Sequence, residues 1–319
     1  MDSLLAREAG EAATRARDQL AVAGPLIAAC ARRLVARPPA VIATCARGSS
    51  DHAATYGAYL LETSLGRVVA SVGPSVAPHL AFGPDMLVFA ISQSGRSPDL
   101  VRFAVAARAG GAFVVGLVND VASPLAAACE LAIPLCAGEE RAVAATKSCL
   151  LAQLALLQLA AAWSGDAALR DAVAAAPDAL AAAAALDWRP TLAPLAAATG
   201  LYVVGRGLGL AAALEIALKL KETCQLHAEG FSAAEVLHGP AALVAPGFPI
   251  LALGDDPALA TLAALGATIH DAPALAGVSP LLAPLCALQG CYLALPSLAA
   301  ARGLDADAPR NLNKITETR

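Results

Sequence analysis

The chain has 319 residues, of which 58% are hydrophobic, 15% charged and 4% aromatic, and its formal net charge is -4. That length accommodates about two domains of ~100–200 residues each. The apolar content and low net charge exclude a disordered chain, and no basic block offers a footprint for a nucleic-acid backbone.

Residues from about Ser3 to Leu34 predict one amphipathic helix, with Leu5, Ala12, Ala16, Leu20 and Ala23 near helical spacing. The N-terminus mixes Asp2, Arg7, Glu8 and Glu11 without an apolar run, so no signal peptide is expected. An apolar stretch, Ala40 to Cys45, then ends at Arg47-Gly48-Ser49-Ser50. An apolar run closed by glycine and serine and followed by a helical pattern reads as a buried parallel strand entering a βα turn. The alternation continues with candidate strands at Val68–Val72, Met86–Ile91, Phe113–Val118 and Leu131–Leu135, helical patterns lying between them. Strand–helix alternation predicts an α/β fold with a parallel sheet covered on both faces.

From Cys149 to Leu195 the chain is rich in alanine and leucine and predicts helices. A new strand starts at Leu201-Tyr202-Val203-Val204 and enters Gly205-Arg206-Gly207, and later strands are expected at Pro249–Leu253 and Thr268–His270. Arg47-Gly48 and Arg206-Gly207 each follow a strand and precede a helix, which predicts an internal duplication. The turns differ: serines follow the first, Leu208-Gly209 the second. No charge occurs between Asp271 and Arg302, longer than the ~20 residues that cross a bilayer. Four prolines and much alanine in that stretch favour buried helices over a membrane span. The eight cysteines are scattered in apolar runs without metal-ligand spacing, and are expected to be reduced core residues of a cytoplasmic protein.

Three segments carry chemistry. The first is Ile91-Ser92-Gln93-Ser94-Gly95-Arg96-Ser97-Pro98-Asp99, between an apolar strand and a helix expected to begin near Pro98. A helix N-terminus presents unpaired N–H groups and the positive end of a dipole, and serine hydroxyls beside it suit a phosphate monoester. A plain serine-rich turn with Ser97 as N-cap and Asp99 matched to the dipole is an equal reading of these residues. Ser49 and Ser50 would face the same crevice if their strands are neighbours.

The second segment is Glu215-Ile216-Ala217-Leu218-Lys219-Leu220-Lys221-Glu222. Glu215, Lys219 and Glu222 share one helical face, and the residues alone favour a solvated ion-pair stripe. His227, Glu229, Glu235 and His238 follow closely in a chain poor in histidine and look like acid–base equipment, with His238 on a turn before Gly239-Pro240. The third is the C-terminus, Pro309-Arg310-Asn311-Leu312-Asn313-Lys314-Ile315-Thr316-Glu317-Thr318-Arg319. It reads as a frayed tail, or as one whose lysine could attack a carbonyl.

Taken in order, these segments resemble the sugar isomerase (SIS) family, in particular its glucosamine-6-phosphate synthase and deaminase branches. The matching runs are Arg-Gly-Ser-Ser-Asp-His at 47–52, Ser-Gln-Ser-Gly at 92–95, Val143-Ala144-Ala145-Thr146-Lys147, Gly205-Arg206-Gly207, residues 217–222, 227–229, 235–240, and Pro-Arg-Asn-Leu with Lys314. All four lysines, Lys147, Lys219, Lys221 and Lys314, fall within them. The resemblance implies two SIS domains, each a mostly parallel five-stranded sheet between helices (a three-layer αβα sandwich), in a homodimer with shared active sites. It implies an N-terminal helical segment at 1–37, a phosphosugar-binding domain at 38–165, a helical linker at 166–195 and an acid–base domain at 196–319. Phosphate contacts map to Ser50, Ser92, Gln93, Ser94 and Ser97; Arg47, Gly48, Ser49, Val143, Ala145 and Lys147 are the further substrate-binding candidates. The proton-transfer glutamate maps to Glu222, the ring-opening histidine to His238, a sugar-contacting lysine to Lys219 and a Schiff-base lysine to Lys314.

Departures from the synthase pattern direct the expected activity. Arg47 and Asp51 replace a cysteine and a tyrosine, Arg96 replaces a glutamate, and Met1 leads almost directly into the first helix without a glutaminase domain. This pattern, with the Lys-Ile-Thr-Glu-Thr ending, resembles the stand-alone deaminases. The expectation is a glucosamine-6-phosphate deaminase without cofactor or metal. A fructosamine-6-phosphate deglycase, a phosphosugar aldose–ketose isomerase and a non-catalytic sugar-phosphate sensor are the alternatives.

Overall fold

The structure is a computed structural model describing residues 3–314. In chain order its elements are α1 (Leu4–Gly10), α2 (Ala12–Ala36), β1 (Val41–Cys45), α3 (Ser49–Leu65), β2 (Val69–Ser71), β3 (Met86–Ser92), α4 (Pro98–Ala109), β4 (Phe113–Val118), α5 (Pro124–Ala128) and β5 (Leu131–Pro134). They continue with α6 (Lys147–Ser164), α7 (Ala167–Ala183), α8 (Arg189–Leu192), β6 (Gly200–Val204), α9 (Gly209–Cys224), β7 (His227–Phe231), α10 (Ala233–Val236), β8 (Pro249–Ala252), α11 (Pro257–Ala264), β9 (Thr268–Asp271) and α12 (Ala283–Ala301).

The described residues form two compact units. One holds residues 12–140, 147–177 and 313–314; the other holds 3–11, 141–146 and 178–312. The first contains a five-stranded sheet in the order β2-β1-β3-β4-β5, with every pairing parallel. Its central strands are apolar apart from Thr44 and Ser92 because both faces are covered; β4 is buried along its whole length. The α4 helix starts where Ser97 takes an extended N-cap conformation and Pro98 supplies a preset φ.

The second unit contains a four-stranded parallel sheet in the order β7-β6-β8-β9, one strand short of the expected five among the described residues. Its order repeats that of β2-β1-β3-β4, which supports the duplication. His227–Phe231 forms β7, a sheet-edge strand that the acid–base reading of this segment had not anticipated. An edge strand needs only one paired side, so His227, Glu229 and Gly230 are tolerated where a central strand would be apolar.

The single helix expected from Ser3 to Leu34 is two helices separated at Glu11. The α1 helix folds with the second unit: the Asp307 carboxylate accepts from the Ser3 hydroxyl and from the Leu4 and Leu5 N–H groups, at 2.7–2.9 Å. The α2 helix belongs to the first unit, where the buried Gln19 amide donates to the Leu135 and Leu151 carbonyls. Within the charge-free stretch, α12 is mostly buried; among the described residues, α2 and α12 are the two helices long and apolar enough to cross a membrane by length and composition. All eight cysteines are free, and all but the half-buried Cys136 are buried.

Candidate functional site

The order of the first sheet explains why its two serine turns meet. From β1 the chain crosses to β2 on one side, and β3 lies on the other, so the carboxyl ends of β1 and β3 open at a topological switch point. Crevices of this kind hold ligands in open α/β sheets. Cys45 is in register with Ala90, so Arg47-Gly48-Ser49-Ser50 and Ser92-Gln93-Ser94-Gly95 leave adjacent strand ends. Each runs directly into a helix of the sheet, α3 and α4, whose N-terminal N–H groups favour an anion.

Glycine shapes both turns. Gly48 caps α3 with φ 55°. Gly95 has φ 63°, its N–H donates to the Ser92 hydroxyl at 3.0 Å, and a Cβ there would lie 2.1 Å from Ser123 Oγ. The Ser94 hydroxyl accepts from the Arg96 N–H at 3.3 Å. The side chains of Ser50, Gln93 and Ser97 hydrogen-bond to no other described residue, which leaves their donors for a ligand.

The turn arginines are both paired. The Arg47 Nε donates to Asp99 at 2.8 Å, and its Nη2 makes a second, shorter contact to the same oxygen. Arg96 pairs with Asp120 at 2.9 Å. Asp99 is therefore more than a dipole-matched acid: it is buried, caps the Leu100 N–H and ties the β1 turn to the start of α4. Asp51, in the first turn of α3, is half-buried, and burial raises its carboxyl above the ordinary aspartate value despite His52 beside it.

Two further candidates belong to this unit. Lys147 is fully buried at the start of α6. The Lys314 ammonium contacts Glu140 at 3.4 Å, and this buried carboxylate also accepts from the Ser148 N–H at 3.2 Å and hydroxyl at 2.6 Å. Lys314 itself is thus held by Glu140. Residues 315–319, including most of the Lys-Ile-Thr-Glu-Thr ending, lie outside the described residues. Val143 and Ala145 are half-buried on a segment that folds with the second unit, where Glu8 accepts from the Arg141 and Ala142 N–H groups.

In the second unit the α9 charges are not a solvated stripe. Glu215 and Lys219 are fully buried and Glu222 is 21% exposed at the side chain. The Lys219 ammonium lies 3.5 Å from Glu215 and closer still to Glu222. The Tyr292 hydroxyl of α12 donates to Glu215 at 2.9 Å. The sheet and α12 cover this helix on two sides, which buries positions that helical spacing alone assigns to a surface. Glu222 is the member of the triad with access to solvent. His238 stands exposed on the turn after α10 with its N–H bonded to the Glu235 carbonyl at 3.0 Å, while His227 is exposed at the start of β7.

Asp99 and Glu140 were not singled out as site residues from the sequence. Asp99 could have been found as an acid one residue past a Ser-Pro cap, in reach of an arginine on the neighbouring strand end. Glu140, preceding Val143–Lys147, had no local signal.

Two parallel sheets of like strand order, one with serine turns at its switch point and the other packed against a helix carrying a buried Lys–Glu set, define an α/β protein of duplicated architecture. The SIS domain family model matches residues 39–162 and 195–266, and the chain belongs to the SIS domain family. It is similar to glutamine–fructose-6-phosphate aminotransferase (isomerizing) of Aeropyrum pernix, 36% identical over 311 residues, covering 84% of this chain and 49% of that protein. The same enzyme of Symbiobacterium thermophilum is 32% identical over 316 residues, covering 86% of this chain and 51% of that one. The chain thus spans about half the length of these relatives. A candidate phosphosugar isomerase of Silicibacter pomeroyi superposes with a TM-score of 0.88 at 40% identity, covering 96% of this chain and 100% of that one. Glucosamine-6-phosphate deaminase of Thermotoga maritima shares the fold, with a TM-score of 0.78 at 20% identity and coverage of 99% and 100%.

Proposed function

We propose that the chain is a glucosamine-6-phosphate deaminase, converting glucosamine 6-phosphate and water to fructose 6-phosphate and ammonia. The observation that carries the reading is Glu222, a partly exposed carboxylate held beside the fully buried ammonium of Lys219. A base for a carbon-bound proton needs a fixed position and limited hydration, and a buried cation beside it stabilises the charge that develops on the sugar.

In this reading the serine turns and the starts of α3 and α4 bind the phosphate, with Ser50, Gln93 and Ser97 supplying free donors. His238 moves the proton between O1 and O5 that opens the ring. Glu222 takes the proton from C2 of the open-chain amino-aldose and delivers it to C1, which leaves a C2 imine. Water adds to the imine carbon, and ammonia leaves as the ketone forms. Lys314, held against Glu140 at 3.4 Å, supplies a positioned cation in this reading. A homodimer in the cytoplasm completes the reading.

An amino sugar phosphate, rather than a hexose phosphate without an amino group, is supported by Asp51. This carboxylate lies next to Ser49 and Ser50 in the first turn of α3 and makes no side-chain hydrogen bond to another described residue. The ammonium of an amino sugar supplies the countercharge. A deglycase would use the same groups and is separated by its product.

The test is ammonia release with product identification over glucosamine 6-phosphate, its epimers, glucose 6-phosphate and fructosamine 6-phosphates. Ammonia and fructose 6-phosphate from glucosamine 6-phosphate are expected, and Glu222→Gln should lower turnover by a factor of at least ~100 while phosphosugar binding persists. Full ammonia release by that variant would overturn the assignment of Glu222; release of an amino acid from a fructosamine 6-phosphate alone would replace the deaminase with the deglycase.

A further inference from the structure

The second sheet has a switch point of its own. β7 and β8 lie on opposite sides of β6, so the carboxyl ends of β6 and β8 open as those of β1 and β3 do. A pocket of about 310 Å³ lies there, bounded by the turns after β6, β8 and β9 and by the start of α12. Small-molecule sites span ~300–1,000 Å³, and close-packed interiors leave few voids larger than a water.

Its chemistry differs from that of the first crevice. Leu208, Leu253, Leu275, Val278 and several alanines and prolines form the walls, and no serine or acid lines it. Arg206 is the one charged residue of the lining. Its Nη1 donates to Asp256 at 3.2 Å, while Nε and Nη2 have no partner among the described residues. Asp256 also caps α11 by accepting from the Ala258 N–H at 2.8 Å. The first turn of α9, through Gly209 and Ala212, faces the same space and adds the positive end of its dipole. Gly205 permits this approach, since a Cβ there would lie 2.3 Å from the Gly209 carbonyl oxygen.

We propose that this pocket binds a small monocarboxylate with an apolar body. The carboxylate takes the two free donors of Arg206, a geometry suited to the planar guanidinium, and the hydrocarbon fills the apolar space. A phosphosugar does not suit these walls, which would strip water from its hydroxyls without returning hydrogen bonds. The site is independent of the deaminase reading, because Glu222 lies roughly 20 Å from Gly209 along the axis of α9.

Calorimetric titration of the full chain with 3-phenylpropionate and with hexanoate tests the proposal, alongside 3-phenylpropanamide as the uncharged analogue and inorganic phosphate. Saturable binding of at least one carboxylate, one per chain, is expected in the millimolar range or tighter. The amide should bind about tenfold more weakly than 3-phenylpropionate, phosphate should not compete, and Arg206→Met should weaken the carboxylate about tenfold. Ala287→Phe should fill the pocket and abolish binding, and Val278→Trp tests the same space should the first variant fold poorly. No saturable binding by either carboxylate, equal binding of amide and acid, or binding unchanged in a folded pocket-filling variant overturns the proposal.

Discussion

Lys219→Met removes the cation from the buried α9 triad and leaves the Glu215 carboxylate where water does not reach. Lys219 and Glu215 are both fully buried, 3.5 Å apart. In the variant Glu215 keeps the Tyr292 hydroxyl at 2.9 Å, but a neutral donor does not replace an ammonium. Breaking one side of a buried ion pair costs about 3–5 kcal/mol, a large share of the ~5–15 kcal/mol typical of a domain. Equilibrium urea unfolding followed by circular dichroism reads this at neutral pH. Glu215→Gln combined with Lys219→Met removes both charges and retains a partner for Tyr292, so it should recover much of the lost stability. It should not recover turnover, because Glu222 still lacks its neighbouring cation. A cost under about 1 kcal/mol for Lys219→Met, the range of an exposed pair, would refute the buried-triad account. Recovery of activity in the double variant would refute the catalytic role of Lys219.

Three further outcomes follow from the geometry. Gly95→Ala meets Ser123 Oγ and holds a non-glycine residue at φ 63°, so it should lose more than about 2 kcal/mol of stability and weaken phosphosugar binding, read by thermal melting with and without ligand. The burial-raised carboxyl of Asp51 binds its proton more tightly in the folded chain than in the unfolded one. Stability from this group is therefore lost as pH rises from the ordinary aspartate value through the raised folded value; Asp51→Asn should melt higher at neutral pH, with the difference vanishing in acid. Burial pushes the thiols of Cys30, Cys45 and Cys129 up to about 12 and that of Cys286 to about 11. An aromatic disulfide reagent at mildly alkaline pH should therefore titrate at most the half-buried Cys136 in the folded protein, and all eight thiols after unfolding.

The central strands were legible because parallel strands covered on both faces are unbroken apolar runs. Phe113–Val118 agrees at both ends, and Met86–Ile91 lengthens only by Ser92. Apolar runs do not mark an edge strand, so β7 was hidden behind its histidine and glutamate. The break at Glu11 was equally silent, since apolar spacing stays in phase on both sides of it while the two helices fold with different units. At the site, the serine turns were readable because capping chemistry is local. The Arg47–Asp99 and Lys314–Glu140 pairs were not, being set by tertiary approach across 52 and 174 residues. The burial of Glu215 and Lys219 was misjudged for a related reason: helical spacing says which charges share a face, and only packing says what covers it.

The scarcity of lysine acquires a physical meaning from where the lysines lie. Lys147 and Lys219 are fully buried, Lys314 is held by a buried glutamate, and only Lys221 is exposed. Several arginines pair with partly exposed acids, as Arg33, Arg96 and Arg189 do, while Arg47 and Arg206 keep exposed side chains against the buried side chains of Asp99 and Asp256. A guanidinium spreads its charge over a planar fork and is hard to enclose between α9 and α12, whereas an ammonium is a compact point charge that fits between two carboxylates about two helical turns apart. Among these ion pairs the fully buried cation is lysine, at Lys219, and the arginines that reach buried carboxylates keep their own side chains exposed. The same division appears at the two sheet switch points. The first keeps its arginines occupied with Asp99 and Asp120 and leaves small hydroxyl and amide donors free for phosphate. The second leaves two donors of Arg206 uncommitted above an apolar pocket. Duplicated frameworks therefore present different ligand chemistry, decided by which polar groups the fold has already satisfied.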